Sequence, residues 1–381
     1  MEDNSVVRII VAFLISLLII AILVVTLFYF TGNFGGPSQE SIPEPWPIEY
    51  VDYDDEFIDE SGEESGEVSG EEPEVVEEIY TGPKVFSGES RSVAVMIDND
   101  VVAAWPHAGL NNAYMIYEFI IEGGASRLMA FFKEDNLPEH VGPIRSARHY
   151  FLDYVQEHDA IYCHFGWSPL AQSNIAKLGI NNINGIYDTY YTRIGPDKTW
   201  HNAFSSKEEI EKFIKRKAYR TIQNQDCILS FNEKDVDLES GEIANTVSCR
   251  YSTFHETLFE YDEESKNYLI SMRNSTNTKN MVPHVDKFTD EQFYTKNILV
   301  YKVRDELLND PENKGRRELY NVGSGEGMYF TNGKMIPIKW SKEFHKSPTK
   351  YTDMDGNELK VNDGITWVEI VPKDYGSIVI S

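Results

Sequence analysis

Two arginines stand close together in the segment Gly142-Pro143-Ile144-Arg145-Ser146-Ala147-Arg148, where a predicted loop meets a predicted helix. The start of a helix presents unpaired amide hydrogens and the positive end of the helix dipole, and guanidinium groups beside it can complete an anion site. Cations at this end also oppose the dipole, so Arg145 and Arg148 require a specific partner. That partner is either an anionic ligand or a structural carboxylate that ties the helix to a sheet. The candidate carboxylates are Glu118, Glu122 and Asp153.

Two histidines could supply acid–base chemistry. His164 follows Cys163 in a predicted strand, and His201 lies in a predicted turn. If both histidines meet a carboxylate such as Asp98, they form a general acid–base site or a metal site, although satisfied structural histidines are the simpler interpretation. No metal-binding or nucleotide-binding motif with its required spacing is present, so we predict no metal site and no cofactor.

These residues support two hypotheses for one groove. In the first, a non-catalytic groove binds an anionic ligand. Its predicted lining residues are Arg127, Arg145, Ser146, Arg148, His164, His201 and Asn202. In the second, a hydrolase uses a histidine as general base while the arginines hold the charge of the substrate. The catalytic candidates are His164 or His201 as base, with Asp98 or Glu122 as its partner.

Both strands and helices are predicted to position these residues. Apolar, β-branched runs bounded by turn residues predict strands, and the glycines within Glu122–Ser126 predict a hairpin. The predicted strands of the first half are Val93–Ile97, Met115–Ile121, Arg127–Lys133 and Ala160–Phe165. Helical periodicity predicts one helix at Ala147–His158. A capping-box signature at Ser205 and Ser206 predicts a second helix that continues to Arg220.

Beyond about residue 235 the sequence becomes rich in predicted strands. They are Thr257–Tyr261, Tyr268–Arg273, Asn297–Val303, Met328–Thr331, Met335–Trp340 and Thr366–Val371. Asn332-Gly333 indicates a type I′ hairpin. Asp353–Asn357 predicts a turn rather than a calcium loop, because Gly364 stands where the last acidic ligand would be. The predicted fold class is α+β, with a mixed α/β N-terminal part packed against a β-rich C-terminal part.

The net charge of −27 is concentrated near the N-terminus. Residues 31–83 contain 17 Asp and Glu and no Lys or Arg, with repeated Ser-Gly-Glu units. Such a segment cannot bury enough apolar surface to offset the entropy of ordering, so it predicts a disordered acidic linker. Residues 84–381 carry only −9. Without a basic face they are not expected to bind nucleic acid.

Residues 9–30 form an apolar stretch of 22 residues without a charge. As a helix it would be about 33 Å long, enough for a hydrocarbon core of about 30 Å. The stretch is longer than the apolar region of a cleaved signal peptide, which is the alternative. Arg8 precedes it and the next basic residue is Lys84, so residues 1–8 are predicted to be cytoplasmic and the C-terminal domain extracytoplasmic. The chain is therefore predicted to be a single-pass plasma-membrane protein with an uncleaved signal-anchor.

Three cysteines, Cys163, Cys227 and Cys249, fit no metal-site spacing. Cys227 and Cys249 could pair across neighbouring strands. We favour buried free thiols instead, because Cys163 and Cys227 lie in apolar stretches.

Several motifs together resemble the YerB-like family, also described by the DUF3048 domain. They are Val95–Asn99, Gly109-Leu110, Ile116–Glu118 with Glu122-Gly123-Gly124 and Arg127, Gly142–Arg148, His164-x-Gly166 and His201-Asn202. The similarity covers nearly all of residues 84–381, and Gly142–Arg148 is its most specific part. It implies an envelope protein with two parts, residues 84–235 and 236–381, in a family without an established enzymatic activity.

The sequence also departs from what the resemblance implies. Members of the family are commonly lipoproteins, but no cysteine follows the apolar stretch here, so residues 9–30 are expected to replace a lipid anchor. Trp105, His107 and Tyr114 stand where other residue types are expected. We expect a module that binds a cell-wall component or a membrane-bound protein of wall synthesis. A hydrolase acting on an anionic envelope substrate is the alternative, and scaffolding by strand addition is a third option.

Overall fold

The computed structural model describes residues 89–101, 104–195, 201–224, 228–275 and 280–381. The predicted membrane helix at residues 9–30, the acidic linker at 31–83 and Cys227 lie outside these ranges. Within the ranges, no helix combines the length and the apolar character needed to cross a membrane.

Strands dominate the described residues, which contain three α-helices. The helices are α1 (Leu152–Glu157), α2 (Pro169–Leu178) and α3 (Lys207–Arg216). The strands are β1 (Val93–Asn99), β2 (Met115–Ile120), β3 (Ser126–Phe132), β4 (Ile161–His164), β5 (Asn182–Asn184), β6 (Thr192–Arg193), β7 (Ala203–Phe204), β8 (Ser230–Phe231), β9 (Glu242–Ile243), β10 (Thr246–Arg250), β11 (Glu256–Asp262), β12 (Asn267–Arg273), β13 (Met281–Pro283), β14 (Tyr294–Thr295), β15 (Asn297–Val303), β16 (Asp305–Leu307), β17 (Arg317–Leu319), β18 (Gly323–Thr331), β19 (Lys334–Lys342), β20 (Lys350–Thr352), β21 (Lys360–Val361), β22 (Thr366–Pro372) and β23 (Ser377–Ile380).

A mixed sheet of eleven strands forms the centre of the fold. Its order is β20-β19-β18-β15-β22-β2-β3-β1-β4-β5, with β9 paired to β19. Strand β22 pairs in parallel with β2 on one side and with β15 on the other. Strands from both halves of the sequence therefore share one sheet. The first half is mixed α/β and the second half is rich in strands, in agreement with the predicted class.

The two faces of the central sheet are covered by different layers. A second sheet, of order β13-β12-β11-β10-β23 with β14 beside β12, covers one face. There the ring centroid of Phe259 lies 5.8 Å from that of Trp367 on β22. Helix α1 covers the other face, where Tyr154 lies 4.6 Å from Tyr117 and 5.0 Å from Phe119, both on β2. Because successive side chains of a strand point to opposite faces, each layer encloses its own apolar core.

Several local predictions are confirmed. Strands β2 and β3 form the predicted antiparallel hairpin. Asn332 and Gly333, both with positive φ, form the two-residue turn between β18 and β19. Ser206 caps helix α3, its Oγ accepting a hydrogen bond from the Glu209 amide at 3.3 Å. The Asp353–Asn357 segment is a turn, in which Asp353 Oδ1 accepts from the amides of Asp355 and Asn357.

The helix boundaries differ from the predicted ones. Helix α1 begins at Leu152, not at Ala147, because the Ala147 amide donates to Gly166 O at 2.9 Å and holds the chain extended. Helix α3 ends at Arg216 rather than Arg220, since Ala218 adopts a left-handed conformation. Helix α2 was not predicted, although Ser168 caps it and proline opens it.

Two cysteines lie in the described part of the chain. Cys163 and Cys249 are both free and buried. Burial raises the pKa of each thiol. The predicted buried thiols are confirmed at these two positions, and both are poor nucleophiles because the thiolate is disfavoured.

Candidate anion-binding site

Neighbouring strands bring Asp98 and Arg127 together. The two residues face each other in the antiparallel register of β1 and β3. Arg127 also stands opposite Phe119 in the pairing of β3 with β2. Since Phe119 packs on helix α1, Asp98 and Arg127 point to the helix-covered face.

The Gly142–Arg148 loop crosses the ends of β1 and β4. Its Arg145 amide donates to Met96 O at 2.8 Å, and Arg145 O accepts from the Phe165 amide at 2.9 Å. Gly142 allows this path, because it has φ of 145° and a Cβ there would lie 2.9 Å from Ala203 O. The loop places Arg145 Nε 2.9 Å from Asp98 Oδ2.

Arg148 forms a bidentate ion pair with Glu122 in the β2–β3 connection. Its Nε lies 2.5 Å from Oε1 and its Nη2 lies 2.8 Å from Oε2. Burial alone would raise the pKa of Glu122, but the hydrogen bond and the charge of Arg148 outweigh burial and lower that pKa. Of the two partners considered for Arg148, an anionic ligand or a structural carboxylate, the structure shows the carboxylate of Glu122.

Arg127 is the least compensated cation of the site. It is 5 % exposed, its Nη1 donates to Ser146 O at 2.5 Å, and its Nε has no hydrogen-bond partner in the described part of the chain. Burial, followed by the positive charge of Arg148, lowers the pKa of Arg127 to about 10. Arg127 therefore remains charged at neutral pH.

His201 approaches the same carboxylate from the solvent side. Its Nδ1 lies 2.6 Å from Asp98 Oδ2, and its side chain is 23 % exposed. Burial would raise the pKa of Asp98, but the hydrogen bond from His201 and the charge of Arg145 lower it. Asp98 is thus ionised, and its carboxylate accepts a hydrogen bond from His201 Nδ1. We call Asp98, Glu122, Arg127, Arg145, Arg148 and His201 the arginine cluster.

His164 does not join this cluster through its ring. It is fully buried, with Nδ1 2.8 Å from Gly166 O and Nε2 3.2 Å from Asn182 Oδ1. Burial lowers its pKa to about 4. The contacts occupy both ring nitrogens, so the expected meeting of His164 with His201 and a carboxylate is replaced by a contact of His201 alone with Asp98.

The other two predicted groove residues border the cluster. Ser146 Oγ donates to Phe165 O at 2.8 Å. Asn202 Oδ1 accepts from Arg193 Nη1 at 2.9 Å. Ser146 therefore fixes Phe165 to the loop that carries Arg145, whereas Asn202 holds the side chain of Arg193.

A buried histidine pair behind Asp98 was not predicted from the sequence. His107 Nε2 lies 2.6 Å from Asp98 O, and its Nδ1 lies 2.7 Å from His284 Nε2. The Trp105 ring stacks on His284 at 4.6 Å. Burial lowers the pKa of His107 to about 4. Nothing in the sequence pairs His107 with His284, because only the tertiary fold brings β1 and the segment after β13 together.

A second polar network lies on the opposite face of the same strands. Glu118 Oε1 lies 2.5 Å from Ser126 Oγ and 3.0 Å from His255 Nε2, and Oε2 accepts from Thr257 Oγ1 at 2.9 Å. Asn99 Nδ2 donates to Glu118 Oε1 at 3.2 Å. All five side chains are buried. We call Asn99, Glu118, Ser126, His255 and Thr257 the buried acid network.

A large open groove lies elsewhere. It encloses about 910 Å³ between residues 228–230 and 346–359. None of its lining residues belongs to the arginine cluster. We place the candidate site at the cluster, because a buried cation without its own carboxylate is a more specific sign of a ligand than an open groove.

Comparison with known proteins agrees with the motifs around this site. A family model described as "Protein of unknown function (DUF3048) N-terminal domain" matches residues 80–220. The model of the corresponding C-terminal domain matches residues 247–368. The chain belongs to the DUF3048 family. The family models thus cover the arginine cluster and all of the second sheet except Thr246 and β23.

Two comparisons extend the DUF3048 assignment. The chain is 30 % identical over 288 residues to the "Putative lipoprotein YerB" of Bacillus subtilis (strain 168), covering 74 % of this chain and 82 % of that one. It also resembles the crystal structure of YerB protein from Bacillus subtilis, with a TM-score of 0.65 and 28 % identity over 76 % of this chain and 94 % of that one. DUF3048 carries no assigned activity in its description, so the function has to be argued from the site.

Proposed function

We propose that this protein is an extracytoplasmic module that binds an anionic component of the cell wall at the arginine cluster. The observation that carries the proposal is the buried guanidinium of Arg127, whose Nε has no hydrogen-bond partner in the described part of the chain. A buried cation that lacks its own anion is costly unless a ligand supplies one.

The charge balance of the cluster supports a ligand with one negative charge. Three arginines face two ionised carboxylates, so one positive charge remains in excess. The carboxylates hold two of the guanidiniums in place before binding, and this preorganisation reduces the entropy lost on association. Arg145, with 24 % of its side chain exposed, is the arginine that an incoming anion reaches first.

The similarity to a protein described as a lipoprotein supports membrane association outside the cytoplasm. In our proposal, residues 9–30 anchor this chain in place of a lipid, with residues 1–8 in the cytoplasm. Residues 31–83 then act as an acidic tether, which the repulsion between its like charges would extend. Protease added to spheroplasts should digest the C-terminal domain, whereas protection of that domain would reverse the proposed orientation.

Co-sedimentation with isolated cell walls tests the binding role. The detergent-solubilised full chain is compared with Arg145→Ala and with Arg250→Ala. Arg250 is a suitable control, because it is also a partly exposed arginine paired with a carboxylate, Glu256, on the second sheet. We expect the native chain and Arg250→Ala to sediment with the walls and Arg145→Ala to remain in solution.

Each other outcome has a distinct meaning. If none of the proteins sediments, the wall polymer is not the ligand, and a membrane protein of wall synthesis becomes the partner to test. If Arg145→Ala is unfolded by circular dichroism, Arg145 has a structural role and the proposal loses its support. If Arg145→Ala is folded and still sediments, the arginine cluster is not the binding site.

A hydrolase is the second candidate, favoured by the contact of 2.6 Å between His201 and Asp98. Asp98 would orient the ring, Nε2 would take a proton from water, and Arg145 would stabilise the developing negative charge. Release of soluble fragments from labelled walls by the native chain, and its loss in His201→Ala, would support this role. Binding without any release would exclude it.

A further inference from the structure

Exposed aromatic side chains lie beside the arginine cluster. Tyr187 is 70 % exposed, and its ring centroid lies 5.8 Å from that of the half-buried Trp167. A second pair, Phe165 and Tyr191, lies 4.7 Å apart. We call these four side chains the aromatic shelf. Aromatic rings left in contact with water beside a charged site commonly mark a binding surface.

The shelf is bonded directly to the loop of the cluster. Arg145 O accepts from the Phe165 amide at 2.9 Å, and Ser146 Oγ donates to Phe165 O at 2.8 Å. The backbone of Ala147 pairs with that of Trp167. Any movement of Trp167 would therefore disturb the loop that carries Arg145, and the two surfaces form one rigid unit.

The turn that carries Tyr187 is also held firmly. The buried side chain of Asn184 accepts from the amides of Gly166 at 2.9 Å and Ile186 at 3.1 Å. Gly185 packs so closely on the Phe165 ring that a Cβ there would lie 2.8 Å from it. Tyr187 is thus exposed on a supported turn.

Arg193 connects the second aromatic pair, Phe165 and Tyr191, to the segment that contains His201. The guanidinium of Arg193 lies 5.3 Å from the centroid of Phe165 and 5.4 Å from that of Tyr191. The same guanidinium donates to the side chain of Asn202, which directly follows His201. Aromatic faces and polar hydrogen-bonding groups therefore alternate along this surface.

We propose that the ligand is a saccharide that carries an anionic group. Its ring stacks on Trp167 and Tyr187, and its anionic group reaches Arg145 and compensates the excess charge at Arg127. Planar aromatic faces match the C–H face of a sugar ring, while the exposed guanidinium of Arg193 offers a polar partner to its hydroxyls. This inference rests on the proposed function and names the ligand class of that same site.

Isothermal titration calorimetry on the detergent-solubilised full chain tests the inference with three probes. The first is the disaccharide of N-acetylglucosamine and N-acetylmuramic acid, which carries a carboxylate. The second is N,N′-diacetylchitobiose, a closely similar disaccharide of two N-acetylglucosamine units without that carboxylate. The third is a glycerol phosphate oligomer, which has the charge without the sugar ring. We expect the acidic disaccharide to bind at least about tenfold more tightly than the uncharged one, since a charge-assisted hydrogen bond contributes about this factor. It should also bind more tightly than the glycerol phosphate oligomer, because the oligomer has no ring to stack on Trp167 and Tyr187.

Two variants and one control locate the sugar ring. Tyr187→Ala and Trp167→Ala should each weaken binding of the acidic disaccharide by about fivefold or more, as truncation of an interface aromatic does. Phe344→Ala removes a ring that is 59 % exposed in the connection between β19 and β20, and should leave the affinity unchanged. Trp167→Phe retains a ring and should keep most of the affinity if Trp167→Ala fails to fold.

The failures of the two proposals can be told apart. If both aromatic variants bind like the native chain while Arg145→Ala does not, the saccharide inference is overturned and the anion site stands. If the glycerol phosphate oligomer binds as tightly as the acidic disaccharide, the ligand is recognised by charge without a sugar ring, which also overturns the inference. If no probe binds and the chain does not sediment with walls, the proposed function falls as well.

Discussion

Two polar constellations occupy opposite faces of the same three strands, and they differ in their access to solvent. On the helix side, Asp98 and Arg127 belong to a cluster that reaches solvent through Arg145 and His201. Asn99 follows Asp98 on β1, and Ser126 precedes Arg127 on β3, so both point to the other face. There they meet Glu118 and His255 beneath the second sheet, fully enclosed.

By residue type alone, the enclosed side looks more like an active site. A serine hydroxyl lies 2.6 Å from a histidine nitrogen, and a glutamate is beside both. No substrate can reach Ser126, however, because every member of the network is buried. The comparison teaches that access and unpaired charge, rather than the presence of reactive residue types, distinguish a site from a structural network.

The two regions also differ in their charge balance. Glu118 accepts hydrogen bonds from side chains on β1, β3 and β11, which join the two sheets. Burial would raise its pKa, but the hydrogen bond and charge of His255 lower it. Burial and the nearby charge of Glu118 raise the pKa of Glu369 well above its ordinary value, so only one of the two adjacent carboxyls is ionised. The carboxylate of Glu118 is satisfied within the network, whereas the arginine cluster keeps an excess positive charge.

The largest expected effect is the loss of the enclosed carboxylate. Glu118→Ala should lower the free energy of unfolding by about 3–5 kcal/mol, because it leaves several buried donors without an acceptor. Urea denaturation followed by circular dichroism measures this change. Glu118→Gln is the matched control, and should cost less because it keeps an acceptor oxygen. A loss below about 1 kcal/mol for the alanine variant would contradict the structural role of the network.

The contrast between enclosed and open groups extends to pH dependence. The pKa of buried His164 is about 4 in the folded protein, against about 6.5 in an unfolded chain. Between pH 6.5 and pH 4, His164 binds a proton mainly in the unfolded state. The contribution of His164 to the free energy of unfolding therefore falls as the pH falls. The expected loss is about 3 kcal/mol between pH 7 and pH 4.

His164→Gln removes the group that takes up this proton. The free energy of unfolding of the variant should therefore fall by about 3 kcal/mol less than that of the native protein between pH 7 and pH 4. The measurement is the free energy of unfolding of both proteins from pH 4 to pH 8. Other titrating groups cancel in the difference between the two curves. Parallel curves over the whole range would show that His164 is not held neutral in the folded protein.

Arg127→Met probes the excess charge. We expect the free energy of unfolding to change by no more than about 1 kcal/mol, because an apolar side chain of similar length replaces a buried cation without its own carboxylate. Binding of the acidic disaccharide should fall by at least about tenfold. Arg127→Lys, which keeps the charge but not the planar guanidinium, is the control. Large destabilisation with intact binding would assign Arg127 to structure instead.

The smallest expected effect on stability is at the open edge of the cluster. His201→Ala should lower the free energy of unfolding by about 0.5–1 kcal/mol, because it removes one hydrogen bond to Asp98, which keeps its ion pair with Arg145. The same urea titration measures it. A cost above about 2 kcal/mol would place His201 with the enclosed residues and break the comparison between the two faces.

Much of the local structure was accessible from the residues themselves. Val93–Ile97, the hairpin at Glu122–Ser126, the Asn332-Gly333 turn and the cap at Ser206 follow from short-range patterns, and the structure confirms them. The arginines of Gly142–Arg148 were singled out correctly as needing partners, and the structure supplies Asp98 and Glu122.

The site could be predicted only in part. Asp98, Arg145 and His201 do come together, but the ring of His164 is turned to Gly166 and Asn182. The start of helix α1 was misplaced because Ala147 pairs with Trp167, a contact that helical periodicity cannot reveal. Tertiary contacts override local propensity at these positions.

The sequence by itself determined most of the long strands, the acidic composition of the segment before residue 84 and the family, because these depend on composition, short spacings and motifs. Only the tertiary structure decided which polar residues are open and which are enclosed. Asp98 and Asn99 are neighbours in the chain, yet the alternation of the strand sends one to the loop that carries Arg145 and the other beneath the second sheet. The layer that covers each face consists of residues far away in sequence. Long-range packing therefore decides which polar residues form an accessible site and which are enclosed in the core.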